Sequence, residues 1–156
     1  MLKYQKLDTT QHEELAKHFH DIWHETQAPL QDPRKAKYRP VEFFRDRVDR
    51  RTKSTLVAVS DGRIIGFVCW AGGSLNSLFL KSEYRNQGIG EQLCQLAERE
   101  MALTGATKFE LDCVFGNHAA RRFYEGQGWR VDREDVSIDE TPEGRVETRH
   151  WIMVKP

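Results

Sequence analysis

A short turn with two glycines is the segment of the sequence best suited to bind an anion. It lies between a predicted strand and a long predicted helix, whose first amides have no partner and carry partial positive charge. Glycine lets an oxyanion approach the backbone closely, and the arginine adds a fixed charge. The turn lacks the third glycine of a dinucleotide-binding turn and the lysine of a P-loop, but it predicts a phosphate site. Its residues are Arg85, Asn86, Gln87, Gly88, Ile89 and Gly90.

Two carboxylates share one face of another predicted strand. Side chains alternate along a strand, so Glu110 and Asp112 point to one side while the apolar residues between them point to the other. Carboxylates on a buried strand are costly unless they are paired or used in chemistry. The sequence therefore leaves two interpretations of Asp112, as a proton acceptor or as the salt-bridge partner of an arginine.

Two further polar clusters do not indicate a metal or nucleic-acid site. His20 and His24 lie one helical turn apart, which resembles a zinc motif, but a zinc site needs at least three protein ligands and no third is evident. The basic segment 34–39 lacks the interleaved aromatic residues typical of a nucleic-acid surface. Neither a bound metal nor a nucleic-acid partner is expected.

The composition fits one soluble domain over residues 1–156, with 38% apolar and 31% charged residues. The formal net charge is zero, so there is no global attraction to nucleic acid or membrane. No apolar run reaches the roughly 18 residues of a membrane span, and the first residues lack the layout of a signal peptide. The three scattered cysteines are expected to be buried thiols of a cytoplasmic protein.

Charge is distributed unevenly along this neutral chain. Residues 26–53 are mainly basic, and residues 130–147 are mainly acidic. One interpretation is that both segments are solvated faces. The other is that an acidic loop helps to attract a cationic substrate.

The first 50 residues are predicted to contain one strand and two helices. A strand over residues 2–7 precedes a helix that a capping box of Thr10 and Glu13 would open. The proline-rich residues 27–40 are predicted to be a loop. A second helix is expected from Pro40, because proline suits the first turn of a helix.

The rest of the chain alternates between strands and helices. Two strands flank Asp61 and Gly62, a pair that suits the positive φ angles of a type I′ hairpin turn. The whole order is β-α-α-β-β-β-α-β-α-β-β, which predicts a mixed sheet of the α/β class with helices on both faces. The later elements are a strand over 76–80, a helix over about 88–103, a strand over 109–114, a helix from Asn117 to about 127, and strands over 129–131 and 148–154.

Two motifs, in this order, resemble those of the GNAT N-acetyltransferase superfamily. Arg85-x-x-Gly88-x-Gly90 resembles its R/Q-x-x-G-x-G/A turn. Segment 117–129 reads Asn-x-x-Ala-x-x-Phe-Tyr-x-x-x-Gly-Trp and resembles its second motif. A helix and a strand separate the two motifs, as in the family. The spacing is most similar to that of the ribosomal-protein N-terminal acetyltransferases.

The resemblance implies the GNAT-like acyl-CoA N-acyltransferase fold, with acetyl-CoA as cosubstrate and no metal. In that fold a bulged fourth strand splays from the fifth, and the cofactor lies in the cleft between them. The turn 85–90 would hold the pyrophosphate. By matching position, the residues along the rest of the cofactor would be Leu78, Phe79, Leu80, Asn117 and Tyr124.

The resemblance also implies direct transfer of the acetyl group to a primary amine. Tyr124 would protonate the departing thiolate, and Asp112 would act as base. Asp112 is shorter than the glutamate of the similar enzymes and would need a bridging water, so Glu110 and a water relay stay open as alternatives. Asn76 replaces a glutamate that some relatives use as base and could orient a water.

Several functional alternatives stay open at this point. The same cleft could serve a non-catalytic acyl-CoA-binding or sensor module, because a fold does not determine a function. A longer acyl-CoA could replace acetyl-CoA. The acceptor could be a small molecule or a peptide, and the resemblance is compatible with a homodimer.

Overall fold

Seven strands form one sheet in the computed structural model, which describes residues 1–156. In chain order they are β1 (Leu2–Lys6), β2 (Thr55–Ser60), β3 (Arg63–Ala71), β4 (Ser74–Leu80), β5 (Phe109–Val114), β6 (Arg130–Thr141) and β7 (Gly144–Lys155). Across the sheet the order is β1-β2-β3-β4-β5-β7-β6. Only β4 and β5 pair in parallel, so the sheet is mixed, as predicted.

Five α-helices accompany the sheet, and short 3₁₀ turns connect several elements. The helices are α1 (His12–Thr26), α2 (Pro33–Lys37), α3 (Val41–Arg50), α4 (Ile89–Leu103) and α5 (His118–Gly126). None of them has the length and apolar character that crossing a bilayer requires.

Each face of the sheet has its own apolar core. Leu93, Ala97 and Met101 recur every four residues along α4, are fully buried, and join one core. On the other face Phe19 of α1 packs against Phe44 of α3, with ring centroids 4.8 Å apart. Burying a large apolar side chain contributes roughly 1.5–3 kcal/mol. These contacts fix the helices, and the loops between them, relative to the strands.

The parallel strands β4 and β5 pair only where they begin. Ser74 lies opposite Glu110 and Leu75 lies opposite Leu111, and the ladder then ends. β5 stays paired with β7 as far as Val114. β4 therefore diverges from β5 and leaves a wedge in the middle of the sheet.

A bulge at Asn76 marks the point where β4 turns away. Asn76 has no partner on β3, although the residues on both sides of it are paired. With its amide turned toward the donors, the Asn76 oxygen accepts from the Ala71 amide at 3.3 Å and from Arg51 at 3.1 Å. A bulge bends its strand and increases the local twist. The splayed, bulged β4 that the resemblance implied is thus confirmed.

The predicted order of strands and helices is confirmed, with two local corrections before residue 40. The capping box does not involve Thr10 and Glu13. Asp8 and Gln11 form it instead, at the 3₁₀ turn that precedes α1. The predicted loop 27–40 contains the short helix α2, because Asp32 accepts a hydrogen bond from the Arg34 amide and the following proline suits a first turn.

The acidic segment 130–147 is not a loop. It forms most of a long hairpin, in which β6 and β7 pair from Arg130–Val154 to the turn at Thr141–Gly144. The sequence placed only residues 129–131 and 148–154 in strands. Most of β6 is exposed, so it lacks the apolar alternation by which a half-buried strand is recognised.

Candidate active site

A cavity of about 340 Å³ occupies the wedge between β4 and β5. Its walls come from both splayed strands, from α5, from the region of α1 to α3, and from the β6–β7 hairpin. The predicted site residues in the wall are Leu78, Phe79, Asp112, Asn117 and Tyr124. The structure therefore gathers residues from three separate elements around one space.

The other predicted residues lie outside this cavity. Leu80 ends β4, and a 3₁₀ turn connects that strand to residues 85–90 and α4. These residues are not part of the cavity wall. The turn and the cavity are nevertheless continuous along the chain, since β4 leads from one to the other.

The turn 85–90 has the backbone geometry of an anion site. Asn86 and Gly88 take positive φ angles of 62° and 81°, and Gly88 immediately precedes α4. The amides of residues 87–90 donate to no other backbone group. Arg85 is exposed, and its guanidinium lies 3.5 Å from the Leu80 carbonyl. Amides without a backbone acceptor and an exposed cation without an ion-pair partner therefore lie at the same helix end.

The two glycines of this turn have different structural roles. A Cβ at Gly88 would meet nothing within 4 Å, so the positive φ angle is what favours glycine there. A Cβ at Gly90 would lie 3.5 Å from the Phe123 ring. Gly90 thus borders the contact of α4 with α5, whereas Gly88 shapes the turn.

Asn117 and Tyr124 are positioned by α5. The Asn117 side chain accepts from the Ala120 amide at 3.2 Å and caps the helix, as predicted. Tyr124, two turns further on, lies in the cavity wall and is almost fully buried. Burial raises the pKa of the Tyr124 phenol, with smaller contributions from the buried cysteines. The phenol therefore keeps its proton at pH 7, as a proton donor must.

The two carboxylates of β5 have different surroundings. Asp112 lines the cavity, is exposed, and forms no ion pair. Glu110 lies 3.4 Å from Arg133 of β6 and is not in the cavity wall. The expectation of a buried carboxylate-bearing face is wrong, because the wedge leaves this face of β5 open. Salt-bridge pairing applies to Glu110, and Asp112 is the carboxylate that remains free.

His150 is a cavity residue that the sequence interpretation missed. It lies opposite Val114 in the ladder between β5 and β7, and its Nε2 is 2.8 Å from the Ser137 hydroxyl. Burial lowers the pKa of His150, while the charge of Asp112 acts in the opposite direction. Alternation along β7 could have placed His150 on one face, but only the register brings it beside β5.

A group of cationic side chains in the cavity wall was also missed by the sequence interpretation. Lys35 and Arg39 are almost fully buried, and Arg47 is partly buried. Arg39 stacks on Trp23, with its Cζ 4.7 Å from the ring. All three cations and Trp23 line the cavity.

The basic and acidic segments bind each other. Asp139 of β6 lies 3.1 Å from Lys35 and 3.6 Å from Arg39. At the hairpin turn Glu143 accepts from Lys37 and Tyr38, each at 2.8 Å. The interpretation as two solvated faces is therefore wrong for the buried Lys35 and Arg39, whereas Lys37 and Glu143 are exposed. Both carboxylates already have partners within the chain.

No set of three or more histidine, cysteine, aspartate and glutamate side chains is arranged to hold a metal ion. His24, one of the two histidines spaced like a zinc motif, instead lies with its Nε2 2.8 Å from the Arg39 carbonyl.

Comparison with known proteins finds a family model and two curated relatives that match parts of this chain. The model of the acetyltransferase (GNAT) family matches residues 15–129. An uncharacterized N-acetyltransferase of Archaeoglobus fulgidus is 32% identical over 122 residues, which is 70% of this chain and 82% of that protein. One of Methanocaldococcus jannaschii is 34% identical over 79 residues. That alignment covers 47% of this chain and 51% of the relative, so the chain spans about half the length of that protein.

Solved structures of similar fold cover nearly the whole chain. The PaiA N-acetyltransferase of Thermoplasma acidophilum, solved in complex with coenzyme A, superposes with a TM-score of 0.74 at 23% identity, covering 99% of this chain and 98% of that one. A ribosomal-protein-alanine N-acetyltransferase of Brucella melitensis gives 0.74 at 16% identity, covering 98% of both chains. At these sequence identities the superpositions show a similar fold and nothing about the substrates of this chain.

Proposed function

The chain belongs to the acetyltransferase (GNAT) family of acetyl-CoA-dependent enzymes, and from this premise we propose that it transfers the acetyl group of acetyl-CoA directly to a primary amine. The observation that carries the proposal is the wedge between β4 and β5. It opens a cavity at the level of Tyr124 and Asp112, and β4 leads from that cavity to the turn 85–90.

The layout of the turn and strand supports a position for the cosubstrate. The free amides of residues 87–90, together with Arg85, suit the pyrophosphate. The unpaired edge of β4, with Leu78, Phe79 and Leu80, suits the pantetheine arm. Asn117 and Tyr124 in the cavity wall suit its far end. In this arrangement the thioester reaches the cavity while the nucleotide stays outside it.

In the proposed step the amine nitrogen forms a bond to the thioester carbonyl carbon, and the carbon–sulfur bond breaks. The amine proton passes through a water to Asp112, and the thiolate takes a proton from Tyr124. Holding both reactants side by side supplies much of the acceleration. A lysine-like amine of pKa about 10.4 costs roughly 4.6 kcal/mol to deprotonate at pH 7, whereas an α-amine near 8 costs about 1.4.

A cytoplasmic location is part of the proposal. Cys69, Cys94 and Cys113 are all free and buried, and burial raises the pKa of the Cys113 thiol to about 11. Such thiols stay protonated and inert at neutral pH. This usage is typical of proteins from reducing compartments.

The test is release of free coenzyme A from acetyl-CoA in the presence of small amines, amino acids, peptides and lysine derivatives. We expect thiol release with at least one acceptor. Tyr124→Phe should lower kcat/KM by about 10²–10⁴-fold, while coenzyme A binding stays measurable by calorimetry. If no acceptor releases thiol while coenzyme A still binds, the non-catalytic binding module replaces this proposal.

A further inference from the structure

Three cationic side chains, Lys35, Arg39 and Arg47, line the cavity from the region of α2 and α3. Lys35 donates to the Thr148 hydroxyl at 3.0 Å and lies 3.1 Å from Asp139. Arg39 shares the same carboxylate at 3.6 Å. Burial lowers the pKa of Lys35 and brings that of Arg39 to about 10. Arg39 therefore remains charged at pH 7, and Lys35 lies within ion-pair distance of the same aspartate.

Arg47 adds a third charge without a partner. It reaches the same cavity from α3 and stacks on Phe43, with its Cζ 4.5 Å from the ring. It forms no ion pair, although Arg39, Arg45 and Arg149 all do. Burial is the main cause that lowers the pKa of Arg47, followed by the nearby charge of Arg51. An arginine still stays protonated, with a fork of N–H donors and no acceptor.

The local charges do not balance. Asp139 is the one carboxylate whose charge bears on Lys35, Arg39 and Arg47. Asp112, the other carboxylate in the wall, acts on His150 instead. A partly buried guanidinium without a counter-charge is unfavourable. This region therefore sets three cationic side chains against one carboxylate, and Arg47 is the cation without an ion-pair partner.

We propose that the acceptor is a primary amine that also carries an anionic group, a carboxylate or a phosphate, and that Arg47 binds this group. The inference rests on the proposed function and specifies its substrate class. A planar guanidinium fork matches the two oxygens of either anion. The same charges repel polycationic amines, so this proposal and attraction of a cationic substrate by the acidic segment predict opposite acceptor preferences.

The test compares matched pairs of acceptors. The pairs are alanine with alaninamide, and phosphoethanolamine with ethanolamine, and spermidine serves as the polycation. Thiol release gives kcat/KM for the wild type, Arg47→Gln, Arg47→Lys and Arg50→Gln. Arg50 is the control, because it lies on the same helix and is exposed. For each pair, the kcat/KM of the anionic acceptor is divided by that of its neutral partner. Comparing this ratio between variants cancels the difference in amine pKa.

We expect Arg47→Gln to lower this ratio by about 10- to 100-fold for at least one pair, the value of one or two charge-assisted hydrogen bonds. Arg47→Lys should lower it less, and Arg50→Gln should leave it unchanged. The responding pair distinguishes carboxylate from phosphate. A ratio unchanged in Arg47→Gln for both pairs, or turnover of spermidine and neutral amines alone, overturns the inference and leaves the transferase intact. Absence of thiol release with every amine overturns the transferase, and this inference with it.

Discussion

Burial favours the neutral forms of two ionisable side chains in the cavity wall. It raises the pKa of the Tyr124 phenol and lowers that of the His150 imidazole. At pH 7 the phenol can donate a proton and the imidazole can accept one. Asp112 is exposed and has no partner, so the residues suited to proton transfer differ in how much water surrounds them. That difference is the residue-scale basis of the proposed step.

His18, on α1, makes the stability of the fold sensitive to acid. Its Nε2 is buried without a partner, and its ring packs edge-on against Phe67 at 5.7 Å. Burial lowers the pKa of His18 from 6.5 to about 4. Between these values the unfolded chain binds a proton that the folded chain does not, so stability falls as the pH falls. We expect His18 to lower the free energy of unfolding by about 2 kcal/mol from pH 7 to pH 5.

Urea unfolding at pH 7 and pH 5 checks this expectation. His18→Leu removes the titrating group and should lose about 2 kcal/mol less than the wild type over that interval. His20→Gln, two residues further along α1 and only partly buried, should keep the wild-type loss. An equal loss in His18→Leu and the wild type would show that other groups cause the acid sensitivity.

At the scale of elements, the turn before α4 can be tested with a matched pair of glycines. Gly88 and Gly62 have φ angles of 81° and 77°, and a Cβ on either would meet nothing within 4 Å. Alanine at either position should therefore cost roughly 1–2 kcal/mol of stability. Only Gly88→Ala should also raise the KM for acetyl-CoA, by about tenfold, if an oxyanion approaches that backbone. Equal KM values for the two variants would argue against a diphosphate at the turn.

Elements with strong local signals could be predicted from the sequence. Asp61 and Gly62 both take the positive φ angles of a hairpin turn, as expected. Asn117 caps α5, and the regular apolar spacing of α4 corresponds to a fully buried stripe. In each instance the determining interactions lie within a few residues of one another, so the local pattern contains them.

Elements and site residues that depend on distant partners could not be predicted in the same way. The polar strand β6 exists because β7 pairs with it, and Lys35 is buried because Asp139 and Thr148 meet it from the hairpin. Arg47 reaches the cavity through the packing of α3. Segment composition indicated only that charges were present. Their positions follow from long-range register and helix packing, which local patterns do not encode.

In the whole molecule, the β6–β7 hairpin covers α2 and closes one side of the cavity. The hairpin makes two sets of contacts. Asp139 pairs with buried cations within the cavity wall, and Glu143 binds Lys37 and Tyr38 at the exposed tip. The two sets differ in their exposure to water. Exposed pairs are screened by water and salt, whereas charges in the wall are screened much less.

Removing the carboxylate of Asp139 or of Glu143 should therefore lower the free energy of unfolding by unequal amounts. Asp139→Asn leaves Lys35 and Arg39 without their counter-charge. Breaking a fully buried pair costs about 3–5 kcal/mol, but the Asp139 side chain is 37% exposed, so we expect a loss of about 2 kcal/mol in the free energy of unfolding. Glu143→Gln should lose less than Asp139→Asn, and added salt should abolish that loss. Urea unfolding at low and high salt measures both, and equal losses would mean that the inner ion pairs are as well solvated as those at the hairpin tip.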